Sequence, residues 1–125
     1  MLQSPRWARG AGTQRRVRIR VLVALEEEHR VYREVIAAGI VALRPHVEAE
    51  ARPAENVSRE MARFEPRLVI SSRQEETSAT SVHAWAKVPM DPTQPMEVRV
   101  GERRWTSPKP TLEALLEIID SIAEA

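Results

Sequence analysis

A three-layer α/β fold on a mainly parallel five-stranded sheet is the architecture this sequence predicts, and three observations predict it. The run VRIRVLVAL, residues 17–25, becomes continuously apolar at its end, the mark of a strand buried on both faces. Beyond it, two segments with helical apolar spacing alternate with two more short strand-like runs. That order, strand, helix, strand, helix, strand, closes a parallel sheet through right-handed crossovers. The length of 125 residues, 42% hydrophobic and 30% charged, suits one domain with one core.

In the first strand Val17, Ile19, Val21 and Val23 share one face, with Arg18 and Arg20 opposite. Glu26, Glu27 and Glu28 follow, and acidic residues favour a helix N-terminus. The helix they open is expected to bury Val31, Val35, Ile36, Ile40 and Leu43. Gly39 inside it is expected to mark close packing against the sheet, and Pro45 ends it. HVEAEA, residues 46–51, alternates as a second strand. Residues 53–64 read as a second helix with Val57, Met61 and Phe64 on one face and a proline suited to the first turn.

The third strand, residues 67–71, carries Leu68, Val69 and Ile70 in succession. The polar stretch SSRQEETSATS has no apolar stripe and reads as a loop. Residues 83–88 form a fourth strand, with Trp85 as its large side chain. After a loop through Met90, Pro92 and Pro95, residues 97–100 and 103–106 flank Gly101-Glu102 as a tight hairpin. Leu112, Leu115, Leu116, Ile119 and Ile122 then mark a final helix beginning at Thr111.

Composition excludes several function classes. The chain has no cysteine, hence no disulfide, thiol catalysis or cysteine-held metal. His29, His46 and His83 are far apart and lack metal-ligand spacing, so no metal is expected. No glycine-rich loop follows the first strand, and no cofactor is expected. No apolar run approaches the ~20 residues that span a bilayer, and no secretory signal is visible, so a cytoplasmic protein is expected.

Charge is uneven. Arg6, Arg9, Arg15, Arg16, Arg18 and Arg20 meet no acidic residue in the first twenty positions; with the chain at +1, the remainder carries −5. Residues 1–16 read as a disordered basic extension, and residues 17–125 as the single folded domain. Nucleic acid is not expected as a partner, because Trp7 is the only aromatic residue interleaved with those arginines.

The element order resembles the receiver domain of two-component response regulators, a flavodoxin-like sheet of order 2-1-3-4-5. VLVALEEEH places acidic residues where receivers bind magnesium. LVISS ends the third strand where receivers carry the phosphoaccepting aspartate. Lys109-Pro110 precedes the last helix, like the lysine-proline pair closing a receiver's last strand. The resemblance spans residues 17–72 and 106–125, whereas residues 73–105 depart from it.

Ser71 and Ser72 stand where the aspartate belongs, and a hydroxyl without a general base does not form the acyl phosphate. The resemblance therefore implies a non-phosphorylatable pseudo-receiver, not an enzyme, that acts as a regulatory or protein-interaction module. The alternative is a domain binding a small molecule or anion in the crevice at the carboxyl ends of strands one and three. That crevice nominates Glu26, Glu27, Ser71, Ser72, Arg73 and Lys109. The chain also shows fewer helices than a receiver. A sheet face around Val57, Met61, Phe64, Trp85 and Trp105 is thus expected to be covered by the 73–81 loop, by the hairpin, or by a homodimer or protein partner.

Overall fold

The computed structural model describes residues 19–75, 82–91 and 93–124. The basic extension, most of the polar loop and Pro92 lie outside the described residues. The strands are β1 (Ile19–Leu25), β2 (Val47–Pro53), β3 (Leu68–Ser71), β4 (Ala84–Lys87), β5 (Met96–Val100) and β6 (Arg103–Ser107). The helices are α1 (Arg30–Leu43), α2 (Val57–Phe64) and α3 (Leu112–Glu124), with 3-10 turns at Glu27–His29 and Ala54–Asn56.

The strands form one sheet of order β2-β1-β3-β4-β5-β6. The first four run parallel, with Val21 opposite both Ala49 and Leu68, and Leu68 opposite Ala84. β5 and β6 run antiparallel, so the sheet is mixed and six-stranded rather than five-stranded with a separate hairpin. The reason lies in the connection. A parallel neighbour needs a crossover of a dozen residues or more, and the short proline-bearing stretch after β4 only lets the chain double back. Gly101 turns the hairpin with φ of 60° while Glu102 stays out of the left-handed region, the pattern of a type II′ turn.

Two cores form on the two faces. α1 and α3 cover one, over Val21, Val23, Ile70, Ala86 and Val98. α2 covers the other, where Val57 and Phe64, with Met61 beside them, meet Leu22, Ala24, Val69 and Trp85. β1 lies inside the parallel half, and every residue of it except Arg20 is buried.

α1 is rotated from the expected orientation. It buries Arg33, Ile36, Ala37 and Ile40, whereas Val31, Val35 and Leu43 are exposed. A charged residue on the inner face hid that face from a reading by hydrophobicity. Arg33 is accommodated because its Nη1 donates to the Leu25 carbonyl at 3.1 Å and its Nη2 donates to Glu27 Oε1 at 3.2 Å. Gly39 does mark a close approach, to Leu112 of α3 rather than to the sheet. A Cβ there would lie 2.9 Å from a Leu112 methyl.

The face beside β3 and β4 is closed largely by the chain itself. Trp85 is buried, and its Nε1 donates to the Arg73 carbonyl at 3.0 Å. Arg99 and Glu75 pair through two bonds of 2.6 Å, tying that segment to β5. Farther out, the register puts Lys87, Glu97 and Thr106 in one row and Arg99 and Arg104 in the next. This is a polar outer surface of the kind an antiparallel sheet turns to water. Val57, Phe64 and Trp85 therefore sit in an intramolecular core, Met61 is half-buried, and Trp105 is exposed on β6 beneath the Arg103 guanidinium.

Candidate functional site

Strand order reverses at β1: β2 lies on one side and β3 on the other. At such a switch point the helices leave the two neighbouring strands toward opposite faces, and a crevice opens at the carboxyl ends. Here the chain leaves β1 through Glu26 into the 3-10 turn and α1. It leaves β3 through Ser72 and Arg73.

Four of the six expected crevice residues come together. Glu26 and Arg73 form an ion pair across the mouth, Arg73 Nε to Glu26 Oε2 at 2.9 Å. The hydrogen bond from Arg73 holds the Glu26 carboxyl below its ordinary value. Ser71 is fully buried on the α2 side of the sheet, opposite Ala24, and its Oγ accepts the Arg73 backbone N–H at 3.0 Å. Ser72 borders a cavity on the other side.

The remaining two face elsewhere. Glu27 accepts from Arg33 and pairs with Arg30 at 3.5 Å. The Lys109 side chain is exposed and enters no ion pair among the described residues; its carbonyl accepts the Thr111 N–H at 3.0 Å. The mouth of the crevice thus has its charges matched in pairs.

Bordered by Leu25 and Val88 of the core under α1 and α3 lies a cavity of about 330 Å³. Leu25, Tyr32, Val88, Pro89, Met90 and Pro110 supply apolar walls, and His29 and Ser72 are the polar residues at its border. Each wall has a local cause. Leu25 ends the apolar run of β1, and Val88 leaves β4 where its N–H donates to the Ser71 carbonyl at 2.7 Å. Pro89 and Pro110 fix φ in two loops and bring no N–H needing a partner. Tyr32 lies on the first turn of α1.

His29 Nδ1 and Ser72 Oγ are buried and make no hydrogen bond. Among the described residues only two other buried side-chain atoms share that condition, Arg33 Nε and His83 Nε2. A buried unsatisfied polar atom costs about 1–3 kcal/mol. Both residues border the cavity, but these two atoms are covered and do not open onto it.

Of the six residues nominated from the sequence, Ser72 alone lines this cavity, and none of the apolar walls was nominated. The signal available was the clustering of Val88, Pro89, Met90 and Pro110 just past strand ends, which reads as loop punctuation until the topology brings the segments together. No three His, Asp or Glu side chains among the described residues converge to hold a metal ion. No helix among them is long and apolar enough to cross a membrane. Comparison with protein-family models, curated proteins and solved structures finds no match to this chain.

Proposed function

We propose that this chain is a small-molecule-binding domain whose ligand occupies the cavity at the carboxyl ends of β1, β3 and β4. The observation that carries this reading is the cavity itself: about 330 Å³ and apolar-walled, with His29 and Ser72 as the polar residues at its border. Its volume falls within the ~300–1,000 Å³ of ligand sites, near the small end. The ligand class is a small, neutral, largely apolar molecule carrying at least one hydrogen-bonding group. An anion fits less well, because no arginine or lysine lines the cavity and Arg73 is already matched by Glu26. The reading is of binding rather than catalysis, since among the described residues neither serine at these strand ends donates to a base: Ser71 Oγ accepts the Arg73 N–H and Ser72 Oγ makes no hydrogen bond.

The test is thermal denaturation of the full chain against a panel of small neutral aromatic and aliphatic alcohols, amides and phenols. A ligand at ten times its Kd stabilises the fold by about 1.4 kcal/mol, a rise of several degrees. Ser72→Phe, which fills the cavity, is expected to abolish the rise. A panel that leaves the melting temperature unchanged, or a rise that persists in Ser72→Phe, overturns the assignment.

A second reading is a receiver-related regulatory module that cannot be phosphorylated and acts through a protein partner. The parallel order β2-β1-β3-β4, with helices on both faces, supports it, as does Ser71 at the end of β3. The two readings are compatible, because a ligand in the crevice would touch Tyr32 at the start of α1.

A further inference from the structure

We propose that the outer face of α1 is a self-association surface on which a second copy of this chain docks antiparallel about a twofold axis. This assignment does not rest on the ligand-binding reading.

α1 is apolar on both sides. Opposite its buried residues runs a stripe of Val31, Val35, Ala38 and Ala42, spaced four, three, four, which is the spacing of a seam between two packed helices. Val31 is 72% exposed and Val35 59%; flanking them, Leu43 is 53% exposed and Tyr32 43%. From Val31 to Leu43 the exposed side carries a single charge, Glu34. The other helices treat water differently: α2 exposes Ser58, Arg59 and Arg63, and α3 exposes Glu113 and Glu117. A helix that is apolar all round is ordinarily covered all round.

The order of side chains along the stripe selects the occupant. Large residues stand at its N-terminal half and small ones at its C-terminal half. An antiparallel second copy sets Val31 against the other copy's Ala42, and Val35 against its Ala38, so every layer pairs large with small. A parallel copy would stack valine on valine and alanine on alanine, giving alternately crowded and empty layers.

Shape and charge agree with this arrangement. At the N-terminal end of the stripe is an open hollow of about 500 Å³ bordered by Val31, Tyr32 and Val35 together with Glu28 and the paired Glu27 and Arg30. Leu43 protrudes at the other end, and twofold symmetry carries the Leu43 of each copy toward the hollow of the other. The same operation brings exposed Glu28 toward the end where the other copy exposes His46, and sets the helix dipoles head to tail. The patch is complementary to itself, as an isologous contact requires.

The test is the mass of the full chain by light scattering over a concentration series. Twice 14.2 kDa is expected for the native sequence. Val35→Glu places an unpaired charge in the seam and should weaken association by about a hundredfold or more. Glu117→Lys, on the exposed side of α3, should leave it unchanged, and both variants should keep the native circular dichroism. Because the chain has no cysteine, single-cysteine variants report the register. Copies with Val35→Cys mixed with copies bearing Ala38→Cys should form the mixed disulfide faster than either variant cross-links alone. A monomer throughout the series, a dimer that survives Val35→Glu, or faster cross-linking within one variant each overturns the proposal. None of these measurements involves a ligand, so failure here and failure of crevice binding are separable.

Discussion

Glu65 ends α2 in the left-handed region, with φ of 52° and ψ of 58°, and its N–H donates to the Met61 carbonyl at 3.0 Å. It is the only described non-glycine residue with positive φ. An L side chain there costs roughly 1–2 kcal/mol, whereas glycine gives back about 0.5–1 kcal/mol of unfolded-chain entropy. Glu65→Gly should therefore stabilise the fold by about 0.5–1 kcal/mol, read as a higher urea midpoint with unchanged slope. Arg33 shows the opposite kind of special position, a buried cation retained because it satisfies a strand-end carbonyl. Residues like these are chosen by backbone geometry that no local pattern announces.

At the scale of elements, what was legible follows from where each element's information lies. α3 could be read because its inner face is Leu115, Leu116, Ile118, Ile119 and Ile122, all apolar and all buried. The hairpin could be read because Gly101 supplies the turn. α1 could not be oriented, because both its faces are apolar and the buried one includes Arg33. The direction of β5 was not visible in β5 itself, since it depends on the length of the preceding connection. The crevice was half legible: topology nominates the strand ends, but the cavity walls come from four separate segments. The α1–α3 contact carries its own prediction. Gly39→Ala gains about 1 kcal/mol of helix propensity and loses a comparable amount by displacing a Leu112 methyl, so stability should change by less than about 0.5 kcal/mol. Gly39→Phe cannot be absorbed by one rotamer and should cost about 1–3 kcal/mol in the same urea titration.

For the molecule as a whole, four of the described groups shape the response to acid, and one of them, Asp91, has its carboxyl lowered by hydrogen bonds from the Thr93 backbone and side chain. His83, at the head of β4, has its pKa lowered from 6.5, first by burial and then by the charges of Arg67 and Arg99. The unfolded chain binds that proton more readily, so stability falls as pH drops below 6.5 and stops falling once the folded histidine is also charged. Glu26 and Asp120 are each held below the ordinary carboxylate value by a hydrogen-bonded arginine, Arg73 and Arg44 respectively. Their contribution is complete at neutral pH and is lost as pH falls through the carboxylate range and below the folded pKa values. Melting temperature scanned from about pH 8 to about pH 3 should decline in two stages, and His83→Gln should remove its share of the first while leaving the second.

The position of β1 also has a consequence for synthesis. It is the most apolar strand, the earliest to be made, and the one whose partners on both sides are made later. Val21 pairs with Leu68, so roughly forty residues must still be translated after Leu25, about 2–8 seconds at ordinary elongation rates of ~5–20 residues per second. During that interval α1 can form beside β1, but the sheet cannot close around it. The nascent chain presents its stickiest segment early, and the ribosome-bound intermediate is where chaperone engagement should concentrate.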